Sequence, residues 1–337
     1  MILVTGGTGL VGSHLLYYLC LKHDKIRATY RSKQKIDAVK HVFSYYSDQA
    51  DQLFSKLEWI EATLNDIPSL TEAFKNVTHV YHCAALVSFD PNEYFNLRTI
   101  NIHGTANIVN LCISHKVTKL CYVSSIAAVG SGELGMEIHE DSAWNPEADH
   151  SVYAITKYGA EMEVWRGTQE GVKAVILNPG IVIGPGFWRS SSGSLFNTIN
   201  RGLKYYTKGI TGYIDVHDVI KCMILAMEGS IINERYILIS ENLSFKAFAE
   251  KVADQLGVVP PKKEVENWRL QIAWRLDWLQ YLLKRKRRKL TKNVVKSITS
   301  KRVFNNNKVR AQLNFDFMPI EESIEQTSRL FLKDQST

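Results

Sequence analysis

The sequence predicts an α/β protein in which a doubly wound parallel sheet is followed by a smaller, mainly helical C-terminal lobe. Three observations support this prediction. Over the first 180 residues, short apolar runs alternate with longer amphipathic stretches. A glycine-rich turn follows the first apolar run, and the alternation ends after residue 180. Strands that alternate with helices imply crossover connections, which place helices on both faces of a parallel sheet.

The apolar runs and amphipathic stretches define the elements of the first half. The runs predict strands at 1–5, 25–30, 57–62, 77–82, 119–124 and 173–178. The stretches between them predict helices at 10–22, 68–75, 93–115 and 152–170. Residues such as Ala174-Val175-Ile176-Leu177 are apolar without interruption, which is typical of a strand buried on both faces.

The second half has a different rhythm. The Gly- and Ser-rich stretch 184–211 is interpreted as a loop, and a helix is predicted to begin near Asp215 or Asp218. Residues 236–239 form one more predicted strand, and further helices are predicted at 244–256, 264–290 and 320–332. We therefore assign 1–180, with returning segments near 213–240, to the sheet domain, and 181–212 with 241–337 to a substrate-binding lobe.

Composition narrows the class of protein. The five cysteines of the 337 residues are scattered and lack metal-ligand spacing, which predicts reduced thiols and a cytoplasmic protein. No charged leader and no apolar run of about 20 residues is found, so neither a signal peptide nor a membrane span is predicted. The net charge is +7, but six consecutive basic residues at 284–289 account for most of it, so global basicity does not indicate a nucleic-acid partner.

The turn after the first strand predicts a dinucleotide site. Residues 5–12 read TGGTGLVG, with Gly6, Gly9 and Gly12 three apart. The first glycine permits a tight turn, the second a close approach of backbone N–H groups to a pyrophosphate, and the third close helix–strand packing. The following helix N-terminus attracts phosphate. We expect Thr8 and Leu10 to contribute to this Rossmann-type site.

The end of the second strand indicates which dinucleotide binds. A carboxylate about 20 residues past the glycines would hold the 2′-hydroxyl of NAD. Here Arg31 and Lys33 occupy that place and no carboxylate does. Arginine pairs with a 2′-phosphate, so NADP(H) is predicted over NAD(H), which stays open as an alternative. The other interpretation is that both are solvated loop charges.

A tyrosine and a lysine at 153 and 157 are candidates for the chemistry. On a helix, residues four apart share a face, and an ammonium near a phenol lowers its pKa toward the range useful for proton transfer. Ser124 and Ser125 end the fifth strand, where a hydroxyl could bond the substrate oxygen. Pro179 follows Asn178 at the end of the sixth strand, where the nicotinamide amide would lie.

These motifs together resemble the extended short-chain dehydrogenase/reductase superfamily. Besides the glycine turn and the Tyr-Lys pair, the matching segments are His82-Cys83-Ala84-Ala85, 101–107 (NIHGTAN), 124–130 (SSIAAVG), 178–186 and 215–219 (DVHDV). The similarity covers about the first 240 residues well and the remainder in outline.

The resemblance implies roles for individual residues. Tyr153 would be the catalytic acid/base, Lys157 its partner and Ser125, rather than Ser124, the donor to the substrate oxygen. Cofactor contacts would also come from Thr63, Leu64, Ala84, Ala85, Asn101 and Pro179. Asn101 has an equal alternative role in positioning a helix. Thr63 departs from the usual aspartate and Asn178 from the usual arginine, which weakens the expected adenine contact and removes a charge for a substrate phosphate.

The closest branches in appearance are the dihydroflavonol reductases and the 3β-hydroxysteroid dehydrogenases, which act on bulky apolar substrates. The main rival is a nucleotide-sugar epimerase or dehydratase, for which Arg189 and Arg201 are the candidate diphosphate ligands. A non-catalytic NADP(H)-sensing protein on the same fold is the third hypothesis. The resemblance also suggests a homodimer.

The sequence also bears on membrane contact and on metal binding. Segment 268–289 combines Trp268, Trp274, Trp278 and Tyr281 with a basic end, which fits either a lobe helix that covers the substrate pocket or peripheral membrane contact. No metal site is predicted, because His79 and His82 point to opposite faces of a strand and no other group has ligand spacing.

Overall fold

The structure is a computed structural model that describes residues 1–131, 136–190, 192–284, 288 and 290–336. Seven parallel strands form its central sheet in the order β3-β2-β1-β4-β5-β6-β10. These strands are β1 (Ile2–Thr5), β2 (Ile26–Tyr30), β3 (Leu57–Glu61), β4 (His79–His82), β5 (Lys119–Val123), β6 (Ala174–Pro179) and β10 (Glu234–Leu238). Both the fold class and the strands predicted from the sequence are confirmed.

The helices of the first half cover both faces of this sheet. They are α1 (Leu10–Lys22), α2 (Ile36–Ser44), α3 (Ala50–Phe54), α4 (Ile67–Ala73), α5 (Tyr94–Leu97), α6 (Gly104–Ser114) and α7 (Val152–Gln169). Helix α4 begins where the Asp66 side chain accepts from the Ser69 N–H, and α7 where Ser151 accepts from Ala154. The predicted helix 93–115 is interrupted by a π-helical segment, Arg98–His103, which carries Asn101.

The second half adds two small sheets. Strands β7 (Ile181–Ile183), β9 (Ile210–Asp215) and β11 (Glu241–Ser244) form one, in which β7 and β9 are parallel and β11 is antiparallel to β9. Strands β8 (Tyr205–Tyr206) and β12 (Lys263–Glu264) pair separately. The remaining helices are α8 (Gly193–Asn200), α9 (Val216–Glu228), α10 (Phe245–Gln255), α11 (Asn267–Lys284), α12 (Lys292–Thr299), α13 (Asn307–Leu313) and α14 (Ile320–Ser336).

Two expectations for the second half need correction. The stretch 184–211 is not a loop throughout, because α8 and β8 lie within it. Its Gly and Ser residues concealed Phe196 and Ile199, which α8 buries. The helix predicted over 264–290 is described only as Asn267–Lys284, and most of the basic run at 284–289 lies outside the described residues. The helix predicted near Asp215 is present, and Asp215 caps it by accepting from the His217 N–H at 2.7 Å.

Burial follows the layers. One cluster packs α1 and α9 against one face of the sheet through Leu15, Leu16 and Val219, and a second packs α6 and α7 against the other face through Ile108 and Val164. A third cluster joins α8, α10 and α14 through residues such as Phe196, Phe248 and Phe331. The sheet is therefore covered on both sides, and its carboxyl edge is left for a site.

Candidate active site

The glycine turn after β1 is built as its spacing predicts. Gly6 has φ +72°, and a Cβ there would lie 2.6 Å from the Ala84 backbone nitrogen. A Cβ on Gly12 would lie 2.2 Å from the Gly6 carbonyl oxygen, so α1 packs directly on the turn. A side chain at Gly6 or Gly12 would therefore collide with the backbone of the protein itself.

Gly9 is different, because the protein itself does not require glycine there. Its Cβ would meet nothing closer than the Gly6 oxygen at 3.5 Å, and its backbone is exposed and extended. Gly9 also precedes α1 with no side-chain cap from any described residue. The first N–H groups of α1 therefore face an uncrowded surface, which suits a pyrophosphate. Thr8 and Leu10, on either side, are partly buried.

The basic side chains within β2 and just after it fall into two groups. Arg27 is buried and donates to Glu58 and to the Ala73 and Lys75 carbonyls, so it holds β2 to neighbouring elements. Arg31 and Lys33 are exposed and make no hydrogen bond or ion pair with another described residue. Their charges are thus available at the position where an adenosine ribose would be expected.

The loops after β3 and β4 contain the remaining expected cofactor contacts. Thr63 is exposed, whereas the Leu64 side chain is buried against Gly104. Ala84 and Ala85 follow β4, and Ala84 lies against Gly6.

Asn101 holds the chain next to these loops. It accepts from the Leu86 N–H at 2.8 Å and donates to the Leu86 carbonyl at 3.0 Å and the Thr156 hydroxyl at 3.2 Å. These bonds give Asn101 a positioning role between the β4 loop and α7; its contact with a cofactor stays a prediction.

The two serines after β5 separate clearly. Ser124 is buried and donates to the Glu161 carboxylate at 2.7 Å. The Ser125 oxygen accepts from the Ala127 N–H at 3.1 Å, and its hydroxyl lies beside the Tyr153 phenol. A serine hydroxyl has one proton and two lone pairs, so after accepting from Ala127 the Ser125 hydroxyl can still donate to an oxygen in the site.

Tyr153 is the second residue of α7, and the centres of the Tyr153 and Phe89 rings are 5.4 Å apart. Burial raises the pKa of Tyr153, and the neighbouring Ser125 hydroxyl opposes that rise. The sequence had assigned this lowering effect to Lys157. At neutral pH the phenol is therefore protonated, the form that donates a proton.

Lys157 is buried one turn further along α7. Its Nζ donates to the Tyr122 hydroxyl at 2.8 Å and to the Val123 carbonyl at 2.9 Å. Burial lowers the pKa of Lys157 to about 7, and the nearby Glu161 carboxylate opposes this effect. In its protonated form Lys157 has three N–H donors, so one remains for a ligand after these two bonds.

Glu161 lies within the candidate site, and the sequence analysis did not identify it. It is fully buried, and its carboxylate accepts from Ser124 at 2.7 Å, from Asn178 at 2.8 Å and from Arg235 at 2.7 Å. Asn178 also donates to the Ser125 carbonyl at 2.9 Å. One carboxylate thus ties β5, β6, β10 and α7 together beneath the serine and the lysine. The four-residue spacing of Tyr153, Lys157 and Glu161 was the available signal.

A second, largely buried polar cluster lies between α1, the α2–α3 connection and the start of α9, and we call it the histidine cluster. Tyr46 bonds His14 and, at 2.9 Å, His217. His14 donates to the Pro185 carbonyl at 3.1 Å, and the other His217 nitrogen lies 2.7 Å from Asp215, which also accepts from Ser323. Burial lowers the pKa of His14 to about 3.

Several expectations concern groups away from these clusters. Pro179 is the last residue of β6 and is buried. Arg189 and Arg201, which precede and follow α8 in the sequence, are exposed. Within the described residues, no three His, Cys, Asp or Glu side chains are grouped to hold a metal. The described helices include none with the length and apolar character needed to cross a bilayer.

Comparison with known proteins agrees with this geometry. The model of the NAD dependent epimerase/dehydratase family matches residues 2–238. A Synechocystis protein provisionally named dihydroflavonol 4-reductase is 28% identical over 280 residues, covering 80% of this chain and 77% of that protein. The UDP-glucose 4-epimerase of Vibrio cholerae is 28% identical over 251 residues, covering 71% and 70%.

Among solved structures, the UDP-glucose 4-epimerase of Thermotoga maritima, crystallised with UDP-glucose, has a TM-score of 0.78. It is 20% identical and covers 99% of each chain, which establishes the fold.

Proposed function

Because this chain belongs to the NAD dependent epimerase/dehydratase family, we propose that it is an NADP(H)-dependent oxidoreductase that acts on a carbonyl or hydroxyl carbon of a bulky apolar substrate. That it is an NAD(P)-dependent enzyme follows from the family and from its reductase and epimerase relatives. The preference for NADP(H), the substrate class and the residue roles form the proposal.

The observation that carries the proposal is the placement of the Ser125 hydroxyl beside the Tyr153 phenol, one helical turn from the buried Lys157. In reduction, Tyr153 donates its proton to the substrate oxygen while Ser125 bonds the same oxygen. In oxidation, the same phenol must first be deprotonated. When bound, the nicotinamide dinucleotide supplies or accepts the hydride.

The cofactor assignment is supported by two features of the chain. The uncapped N-terminus of α1 with the open Gly9 surface suits a pyrophosphate. Arg31 and Lys33, which have no partner among the described residues, suit the additional 2′-phosphate of NADP(H). The remaining N–H of Lys157 suits a ribose hydroxyl.

The substrate class is supported by the side chains around Tyr153. Phe89 packs against the Tyr153 ring and is 42% exposed, and Val87 and Phe95 nearby in the sequence are also exposed. Large apolar side chains held at a surface favour an apolar ligand. Asn178 donates to Glu161, and neither side chain carries the positive charge that a substrate phosphate would require at this position.

The experiment that tests the proposal compares two pH profiles. Because the pKa of Tyr153 is raised, the phenol does not limit reduction of an apolar ketone with NADPH around neutrality, and the rate should fall only as Lys157, with a pKa of about 7, loses its proton. Oxidation of the corresponding alcohol should rise with pH over the same range, since it requires the phenolate. Profiles without this difference would contradict the role of Tyr153. Epimerisation of UDP-glucose without net NADPH consumption would favour the epimerase alternative.

A further inference from the structure

Helix α11 exposes an apolar face. Trp268, Ile272, Leu276, Leu279 and Leu283 are each between 45% and 73% exposed. They are spaced four, four, three and four residues apart, so they form one stripe along the helix. Ile272, Leu276 and Leu279 also line an open apolar groove with Trp274, Arg275 and Trp278. Leu270, on the opposite side, is buried and fixes the helix to the body of the protein.

The charges on the helix beside the stripe are positive, and one carboxylate, Glu266, lies just before the helix and pairs with Arg269 at 3.5 Å. Arg269 and Arg275 are exposed at its two margins, each with its guanidinium over a neighbouring tryptophan ring. The helix contains one carboxylate, Asp277, which accepts from the Leu290 N–H on the side away from the stripe. In the sequence, α11 ends where the basic residues at 284–289 begin, and the apolar stripe lies on α11 alone.

From these observations we propose that α11 docks on an anionic lipid surface, with its apolar stripe inserted among the acyl chains and Arg269 and Arg275 against the headgroups. Tryptophan, leucine and arginine in this arrangement are typical of helices that lie in a membrane interface. The attraction of cationic side chains to anionic lipid adds to the burial of the stripe.

The size of the apolar face of α11 favours a lipid surface over a second copy of the chain as its partner. An 18-residue helix is about 27 Å long, so its apolar face offers on the order of 300 Å². A stable protein interface usually buries about 800 Å² on each partner. A lipid surface needs no such matched area, because each inserted side chain contributes separately.

The docking face is connected to the candidate active site. Helix α12, which follows α11, begins at Thr291, whose hydroxyl donates to the Phe89 carbonyl at 3.5 Å. Asn293 and Lys296 on α12 donate to the carbonyls of His150 and Asp149, just before α7. Docking through α11 would therefore hold the Phe89 side of the site close to the lipid, although the docking itself does not depend on the proposed function.

Co-sedimentation with vesicles tests the proposal. The full chain should sediment with vesicles of equal parts phosphatidylcholine and phosphatidylglycerol, and much less with phosphatidylcholine alone. Leu276→Ser with Leu279→Ser should lower the partition coefficient by about tenfold for each leucine. Leu225→Ser with Leu332→Ser, which replaces two exposed leucines on α9 and α14, is the matched control and should bind as the unmodified chain does.

Three outcomes would overturn the proposal. These are no sedimentation of the unmodified chain with anionic vesicles, equal loss in both double variants, or a concentration-dependent dimer that Leu276→Ser with Leu279→Ser abolishes. Circular dichroism and NADPH binding show whether each variant is folded. Arg269→Gln with Arg275→Gln should weaken binding to the anionic vesicles alone.

Discussion

The histidine cluster and the group around Tyr153 are both buried and polar, yet they use their hydrogen-bonding capacity differently. In the histidine cluster, both nitrogens of His14 and of His217, the Tyr46 hydroxyl and the Asp215 carboxylate all bond to protein groups. Around Tyr153, the phenol has only Ser125 as a described partner, and Lys157 keeps one donor unused.

This difference indicates the function of each region. A saturated network stabilises a structure, whereas unused donors next to a surface are available to a ligand. Titratable residues alone would not have separated the two, since both contain buried groups with shifted pKa values. The comparison therefore predicts that substitutions around Tyr153 affect turnover and that substitutions in the histidine cluster affect stability.

The largest effect is expected for Tyr153→Phe. Loss of the phenolic proton donor should lower kcat by about a thousandfold, within the range usual for general acid–base groups. The ring and its contact with Phe89 remain, so the free energy of unfolding and the dissociation constant of NADPH should change little. Steady-state kinetics and a fluorescence titration measure both. A variant that binds NADPH but turns over normally would place the chemistry elsewhere.

Glu161→Gln should combine both kinds of effect, because Glu161 supports the site from within the core. Removing its charge leaves the partly buried Arg235 without its ion-pair partner within a mostly buried network, which should cost about 3–5 kcal/mol in urea unfolding. The matched control is Glu163→Gln on the same helix, whose pair with Arg166 is partly exposed and should matter by less than about 1 kcal/mol. Equal effects of the two substitutions would contradict the role given to Glu161.

Acid should destabilise the protein through its buried histidines. His14 and His82 each titrate near 6.5 when unfolded, but burial lowers the pKa of both to about 3 in the folded protein. Between these values the unfolded chain binds more protons, so the free energy of unfolding falls as pH drops, by about 1.4 kcal/mol per pH unit for each histidine. Urea titrations at several pH values should show a smaller slope for His14→Gln. An unchanged slope would contradict this assignment.

Tyr46→Phe probes the histidine cluster directly. It leaves a nitrogen of His14 and a nitrogen of His217 without a partner, which should cost about 1–3 kcal/mol of stability while kcat stays within about twofold. Tyr18→Phe is the control, because Tyr18 packs near Tyr46 but its hydroxyl bonds to no described residue. A large loss of kcat in Tyr46→Phe would end the distinction between the two clusters.

Arg31→Ala should produce the smallest and most selective effect. Loss of a charge at the 2′-phosphate should raise the dissociation constant of NADPH by about tenfold and leave that of NADH unchanged. Lys35→Ala, a neighbouring exposed residue, is the control. Tighter binding of NADH than of NADPH to the unmodified chain would refute the predicted preference.

The sequence was informative where function depends on local spacing. The glycine turn and the four-residue separation of Tyr153 and Lys157 follow from adjacent residues, as do the strands that position them. Arg235 and Phe89 could not be placed in the site, because they reach it only through the order of the strands and the path of a loop. The choice of Ser125 over Ser124 rested on resemblance, and the bond from Ser124 to Glu161 now supports it on physical grounds.

The second half was harder to predict for a similar reason. Helix α8 begins with Gly and Ser, whose local preference is for loops, and it is stabilised by packing against α10. The apolar face of α11 points outward, whereas the apolar face of a helix usually packs against the protein. The helical pattern in the sequence does not reveal which face meets the protein.

The most direct test of the central claim follows NADPH consumption with apolar aldehydes and ketones, alongside UDP-glucose, for the unmodified chain and for Tyr153→Phe. We predict that the unmodified chain consumes NADPH with the apolar carbonyl compounds and that Tyr153→Phe binds NADPH with the same affinity without consuming it. Binding of NADPH without turnover of any carbonyl compound would instead indicate a cofactor-sensing protein. Interconversion of UDP-glucose with no net NADPH consumption would contradict the account in favour of an epimerase.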